Sequence, residues 1–114
     1  DKFGHTAGDI VLKEIATLMI DSFKTDILCR FGGEEFCILL PDTNKKSALF
    51  LAERFRKRIQ DKKIILRRKK TNITVSIGLA TYPQDASLDE ELLHTCDIAL
   101  YEAKQKGRNR VCPV

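Results

Sequence analysis

The sequence predicts an α+β sandwich in which helices pack on a mainly antiparallel sheet. Three observations predict it: two strands joined by a tight hairpin, three amphipathic helical segments, and a late β-branched strand. In chain order the elements read α-β-β-α-β-(β)-α-β, which is the order of a βαββαβ unit whose first strand is absent. Hairpin-joined strands with helices between them are typical of this fold class.

An apolar stripe at three-to-four-residue spacing predicts the first helix, which starts near Gly8 and ends around Ser22. Asp9 fits the N-cap region of this helix, where a carboxylate accepts free backbone N–H groups. The stripe consists of Ile10, Val11, Ile15, Leu18 and Met19.

Two strands follow, over Ile27–Phe31 and Phe36–Leu40, and Gly32–Glu35 forms their hairpin connection. An even-residue loop puts Cys29 and Cys37 one residue out of register, so we expect their side chains to point to opposite faces. A disulfide between them is therefore not expected.

The middle of the chain predicts a helix and two strands. Pro41-Asp42-Thr43 ends the hairpin and caps a helix over residues 44–60. Ile64–Leu66 is a short strand, Arg67–Asn72 a polar turn, and Ile73–Tyr82 a β-branched strand. The buried face of the helix is predicted to comprise Ala48, Leu51, Ala52, Phe55 and Ile59.

The last helix carries signals at both ends. Ser87 and Glu90 have the spacing of a capping box, with Ser87 as the N-cap. The helix runs to about Lys106, and Gly107 stands where a C′ glycine belongs. Val111–Val114 is a candidate edge strand.

Composition predicts one globular domain over residues 1–114. Hydrophobic residues make up 43% and charged residues 32%, which excludes a disordered chain. No apolar run approaches the roughly 20 residues that span a bilayer, and the chain does not open on a secretory signal. The four cysteines are irregularly spaced without a CxxC pair, which favours thiols over a zinc site or disulfides. We expect a cytoplasmic location, which leaves open a membrane anchor elsewhere in the parent protein.

Positive charge is concentrated in residues 54–70, which hold ten Lys or Arg and one acid, a net of +9. The whole chain is only +4, so the remainder carries 4 − 9 = −5. Such a stripe could attract phosphates or an anionic membrane surface. The alternative is a solvated helix face followed by a charged hairpin turn.

The strongest chemical signal lies between the first two strands. Gly32 and Gly33 permit positive φ and leave the backbone N–H groups open to a large anion such as a triphosphate. Glu34 and Glu35 repel each other unless a cation bridges them, and Mg²⁺ with phosphate co-ligands takes one or two carboxylates. Strand alternation predicts different roles for the two acids. The alternative is a solvated acidic turn.

These residues carry a resemblance to a known family. Gly32-Gly33-Glu34-Glu35-Phe36 is a GG(D/E)EF signature, and the chain resembles the GGDEF diguanylate cyclases over nearly all of its length. The supporting motifs are Gly4-His5 with Gly8-Asp9, Pro41-Asp42-Thr43, Ala52-Glu53-Arg54, Val75-Ser76-Ile77-Gly78 and the Ala99–Val111 ending ALYEAKQKGRNRV.

The resemblance implies a ferredoxin-like, nucleotide-cyclase-like fold and a bacterial signalling enzyme. Two GTP molecules would be joined into the second messenger cyclic di-GMP with release of two pyrophosphates. The reaction would require Mg²⁺ or Mn²⁺ and a homodimer in which the two sites face each other. An upstream sensory or receiver domain is implied in the parent protein, whereas no nucleic-acid partner is expected.

The resemblance also implies roles for the signature residues. Gly32 and Gly33 would lie against the GTP phosphates. Glu34 would bind the metal and help to activate the 3′-hydroxyl, and Glu35 would support the same charge network.

Three further residues are implied as substrate contacts. Asp9 would accept from the N1–H and exocyclic amine of guanine, although an N-cap role alone would also explain it. Lys104 and Arg108 would hold the β- and γ-phosphates, although cations near a helix C-terminus also favour the helix dipole.

Two departures from the family pattern carry expectations. A further metal-binding Asp, a Lys, an Asn and the first strand would lie before Asp1, so we expect weak or no activity from residues 1–114 alone. The RxxD product-inhibition site corresponds to Phe23-Lys24-Thr25-Asp26, where Phe23 replaces the Arg. Phe cannot make bidentate contacts, so we expect inhibition through Asp26 and Arg54 to be weak or lost.

Two alternatives stay open. A catalytically silent relative could bind nucleotide or a partner, although such relatives often lose the Gly32–Phe36 signature. A nucleic-acid-binding sandwich could use the basic stripe, but Arg30–Phe36 lacks the aromatic spacing with which such sheets stack bases.

Overall fold

A computed structural model describes residues 6–24 and 27–114. It confirms the α+β class, with three helices and three two-stranded ladders among the described residues. Two ladders are antiparallel and the third is parallel. The elements are α1 (Ala7–Ser22), β1 (Ile27–Gly32), β2 (Glu35–Leu39), α2 (Lys45–Asp61), β3 (Ile64–Leu66), β4 (Lys69–Thr71), β5 (Ile77–Leu79), α3 (Asp89–Gln105) and β6 (Val111–Pro113).

The chain forms two compact units. The first comprises residues 1–42 with Asp61–Ile73, and it holds α1 and the ladders β1–β2 and β3–β4. The second comprises Thr43–Gln60 with Thr74–Val114, and it holds most of α2 together with α3 and the β5–β6 ladder.

Helix α1 is capped by Thr6, which corrects the N-cap position predicted for Asp9. The Thr6 hydroxyl accepts a hydrogen bond from the Asp9 backbone N–H at 3.2 Å, and Asp9 itself lies in the first turn. A carboxylate in the first turn still favours the positive end of the helix dipole. The predicted stripe is confirmed over its second part, where Ile15, Leu18 and Met19 are buried.

The β1–β2 ladder contains an irregularity that the sequence did not reveal. At the turn Gly32 pairs with Glu35, as an even-residue loop requires, but the register shifts between Arg30 and Gly32. Beyond the shift Cys29 pairs directly with Cys37. The predicted one-residue offset between the two cysteines was therefore wrong, because a bulge adds a residue to one strand and moves every later pair by one.

Helix α2 matches its predicted span to within a residue, but its cap is different. The Asn44 side chain accepts from the backbone N–H of Ser47 at 2.8 Å, so Asn44 rather than Pro41-Asp42-Thr43 supplies the cap. Asn binds orphan N–H groups as well as Asp does. The buried face contains four of the five predicted residues, namely Ala48, Ala52, Phe55 and Ile59.

The strand predicted over Ile73–Tyr82 is mostly irregular, and only Ile77–Leu79 pairs, in parallel with Val111–Pro113. A strand extends only as far as its partner, and β6 has three residues.

The capping box predicted at the start of α3 was also wrong. Leu88 is the N-cap of α3 without a side-chain bond, and the Ser87 hydroxyl instead donates to Glu91 at 3.0 Å.

Gly78 lets β5 lie directly against α3. A Cβ at this position would stand 2.2 Å from the Leu100 backbone nitrogen and 2.5 Å from the Cys96 carbonyl oxygen. Both neighbours are backbone atoms of a helix and cannot rotate away. Only glycine therefore permits this strand–helix distance in the second unit.

Candidate functional site

The acidic turn, Gly33-Glu34, joins β1 to β2 as a two-residue loop. Gly33 has φ +44° at the first central position, which is the glycine position of a type II′ hairpin turn. A Cβ built on Gly33 would meet no atom within 4 Å. The backbone of the turn is therefore open to a ligand on the side where a side chain would stand.

The two carboxylates of the signature lie in different surroundings. Glu34 belongs to the turn and is exposed, whereas Glu35 begins β2 opposite Gly32 and is half-buried. No group of three His, Cys, Asp or Glu side chains that could hold a metal occurs among the described residues. The exposed Glu34 fits instead an ion such as Mg²⁺ that takes few protein carboxylates and most of its ligands from phosphate and water.

Asp9 belongs to the same unit as the acidic turn. It lies exposed in the first turn of α1, and its backbone N–H is held by Thr6. Because Thr6 supplies the cap, the carboxylate of Asp9 does not have to serve that purpose. The N-cap role, which the sequence left open as an alternative explanation for Asp9, is thus weakened.

Lys104 and Arg108 flank the C-terminus of α3 in the second unit. Lys104 is half-buried in the last turn, and Arg108 is exposed beyond it with φ +64°. The N–H of Arg108 donates to the Ala103 carbonyl at 3.0 Å and the N–H of Gly107 to the Lys104 carbonyl at 3.4 Å. These two bonds form a Schellman motif, so the backbone position of Arg108 is determined by the end of the helix.

A polar cluster supports this helix end, and it was missed in the sequence. The Arg56 guanidinium donates to Asn109 Oδ1 at 2.7 Å and to Gln60 Oε1 at 2.9 Å. The Asn109 amide also donates to Gln60 Oε1, at 2.9 Å. Asn109 has φ +47°, which Asn tolerates better than most residues. In the sequence, the Asn directly after Gly107-Arg108 was the signal that could have revealed this cluster.

Arg56 also binds Glu53 and therefore belongs to the framework of the second unit. Its Nε lies 3.0 and 3.1 Å from the two carboxylate oxygens of Glu53. This hydrogen bond is the main reason why the pKa of Glu53 lies below its usual range. One cation of the predicted basic stripe is thus engaged within the protein.

The inhibitory-site residues are only partly described. Phe23 is the C-cap residue of α1 and is buried, at 5% exposed. Arg54 is exposed on α2 and lines a shallow cavity with Phe50, Glu53 and Lys57. Asp26 lies outside the described residues, as does the Gly4-His5 part of the motif around Asp9.

The described helices include none that is long and apolar enough to cross a membrane. Cys37, Cys96 and Cys112 carry thiols.

The fold and the glycine-acid turn define a nucleotide-cyclase-like domain. The sequence pattern of the family described as "Diguanylate cyclase, GGDEF domain" matches residues 1–110. The chain belongs to this family, which confirms the resemblance of its motifs.

Individual relatives agree with this assignment. Diguanylate cyclase A of Treponema denticola is 44% identical over 112 residues, covering 97% of this chain and 30% of that protein. The structure of the active GGEEF domain of a diguanylate cyclase from Vibrio cholerae has a TM-score of 0.85 at 33% identity, covering 99% of this chain and 72% of that one. The GGDEF domain of DgcB from Caulobacter crescentus, in complex with c-di-GMP, has a TM-score of 0.84 at 29% identity, covering 99% and 68%. The chain spans about a third or less of the curated relatives that it matches.

Proposed function

We propose that the protein containing this chain condenses two GTP molecules into cyclic di-GMP and releases two pyrophosphates. Each 3′-hydroxyl attacks the α-phosphorus of the other nucleotide, and the bond to pyrophosphate breaks. The acidic turn carries the proposal, because its open glycine at positive φ stands next to two carboxylates. Membership of the diguanylate cyclase family supports the same reaction.

The proposed roles of the signature residues follow from their positions. Gly32 and Gly33 lie against the phosphates, since neither adds a side chain at the turn. Glu34 is exposed and free to bind an ion shared with the phosphates, whereas the half-buried Glu35 holds the charge network from the strand.

The donor set fits Mg²⁺ or Mn²⁺, with Glu34 as the protein ligand within this chain. Such an ion neutralises phosphate charge and lowers the pKa of the attacking hydroxyl. A second carboxylate ligand from residues before Asp1 is part of the proposal.

The remaining proposed contacts are to the base and the outer phosphates. Asp9 accepts from the N1–H and amine of guanine, a donor pair that adenine does not present. Lys104 and Arg108 hold the β- and γ-phosphates at the end of α3, where the Schellman motif and the Asn109 cluster position Arg108.

In-line attack between two nucleotides requires two sites face to face, and we propose a homodimer as the active form. A sensory or receiver domain in the parent protein would control dimer formation. DgcB was solved with c-di-GMP and the cyclase SiaD of Pseudomonas aeruginosa with its activator SiaC. Regulation by a partner protein is therefore part of the proposal, whereas product inhibition is not, since Phe23 stands at the Arg position of the RxxD site.

The test is product formation from GTP and Mg²⁺, followed by chromatography. We expect a longer polypeptide that includes residues before Asp1 to make cyclic di-GMP, and residues 1–114 alone to make little. Equal rates for the two would contradict the expected shortfall. GTP binding without product in the longer polypeptide would support the silent alternative and overturn the proposal.

A further inference from the structure

The basic hairpin, Lys62–Thr71, is a concentrated positive surface outside the proposed nucleotide contacts. It contains six Lys or Arg and no acid. All six are exposed. Lys63 donates to Asn72 Oδ1 at 2.7 Å, and the other five have no ion-pair partner among the described residues. Their charge is therefore available to an external partner.

The turn of this hairpin keeps two arginines where the backbone favours other residues. Arg67 and Arg68 have φ +50° and +68°, the pattern of a type I′ turn. Asn-Gly is the preferred pair at these positions, because a Cβ is disfavoured at positive φ. A sequence that breaks a local rule without a structural gain points to a function of the side chains.

An apolar side chain lies among these cations. Ile65 is 66% exposed in the middle of β3 and pairs with Lys70. Its neighbour Ile64 is 3% exposed, so alternation along the strand separates an inner face from an outer one. The outer face thus combines an exposed branched side chain with surrounding ammonium and guanidinium groups.

We propose that the outer face of the basic hairpin docks on an anionic lipid surface. Lys and Arg near such a surface are attracted by the anionic headgroups. An apolar side chain between them can enter the boundary between headgroups and acyl chains. A nucleic acid would match the charge but not Ile65, and no residue of Lys62–Thr71 is aromatic for base stacking.

The experiment is co-sedimentation of the purified protein with vesicles of phosphatidylcholine alone or with added phosphatidylglycerol. We expect binding only with phosphatidylglycerol, weakening as salt rises. The double variant Arg67→Asn/Arg68→Gly gives the turn its preferred residues, so loss of binding cannot be ascribed to unfolding. Loss of two cations should weaken vesicle affinity about 30-fold. Ile65→Thr keeps the β-branched side chain and should weaken it about threefold.

The matched control is Lys46→Gln/Lys57→Gln, which removes two exposed cations from α2. We expect a smaller loss of binding than from Arg67→Asn/Arg68→Gly, because neither lysine belongs to the basic hairpin. Equal effects of the two double variants would overturn the proposal. So would equal binding to both vesicle types. Tighter binding to duplex DNA than to phosphatidylglycerol vesicles, unaffected by Ile65→Thr, would also overturn it in favour of a nucleic acid.

Discussion

The two hairpins of the first unit use the same two-residue connection and carry opposite charges at their turns. The acidic turn has a glycine at positive φ and an exposed Glu34, whereas the basic hairpin has arginines at both positive-φ positions. The first adopts its geometry at little cost and leaves its backbone open. The second combines an unfavourable geometry with exposed cations. The same turn length is thus compatible with recognition through the backbone, as proposed for the acidic turn, or through side chains, as proposed for the basic hairpin.

The largest expected effect is a difference in the rate of cyclic di-GMP formation between variants of the two turns. Glu34→Gln, in a polypeptide that includes the residues before Asp1, should lower cyclic di-GMP formation by at least about a hundredfold, because charge neutralisation at the phosphates is lost. Arg67→Asn/Arg68→Gly should leave the rate within about twofold. Initial rates from GTP measure both. A similar loss in both variants would mean that the turns do not differ in function.

Gly78 provides a comparison for Gly33, because an added Cβ would meet backbone atoms at Gly78 but no atom within 4 Å at Gly33. Gly78→Ala should destabilise the protein by about 3 kcal/mol, because its Cβ would overlap the backbone of α3. Gly33→Ala should cost only about 1 kcal/mol, from its positive φ alone. Urea unfolding measures both changes. If the two variants were equally stable, the close approach of β5 to α3 would be wrong.

An ion pair inside the second unit contrasts with the cations of the basic hairpin, for which the described part of the chain supplies no acidic partner. Lys45 Nζ lies 2.7 Å from Asp85 Oδ1, and the Asp85 side chain is only 8% exposed. Burial raises the pKa of Asp85, but the hydrogen bonds from Lys45 and the Thr81 N–H outweigh it and hold the pKa below 3.8. Asp85→Asn should therefore cost about 2 kcal/mol at neutral pH.

The pH dependence of this effect has a definite sign. The folded pKa of Asp85 is depressed, so its contribution is complete above the unfolded value of 3.8 and is lost as pH falls through the folded pKa. Thermal unfolding of Asp85→Asn and of the parent protein should show a difference in melting temperature that is constant at pH 5–7 and disappears below about pH 3.8. A difference in melting temperature that stays constant at acidic pH would contradict the proposed contribution of the Lys45–Asp85 ion pair.

The smallest expected effect is a gain in stability when the turn of the basic hairpin receives the residues that its backbone favours. Arg67→Asn/Arg68→Gly should stabilise the protein by about 1 kcal/mol, because Asn and Gly adopt positive φ more readily than Arg. Urea unfolding measures the gain, with Lys46→Gln/Lys57→Gln as a charge-matched control. Unchanged or lower stability would show that the arginines suit this turn better than their φ angles indicate.

Local patterns in the sequence predicted much of this fold. The apolar stripes predicted α1 and α2 to within about two residues, since burial of a helix face follows its period. The GG(D/E)EF signature predicted the family and the candidate residues of the acidic turn. Caps were predicted poorly, because Thr6, Asn44 and Leu88 stand one to three residues from the expected positions and several neighbouring side chains could serve.

Residue types and their spacing predicted the fold class and the family correctly, because both depend on local patterns. The folded chain was needed to find the Cys29–Cys37 pairing, the short length of β5 and the hydrogen bonds of Asn109. Each of these depends on a partner distant in sequence or on a bulge that changes register. It also divided the basic stripe, since Arg56 is held by Glu53 and Asn109 while Arg67 and Arg68 stay exposed.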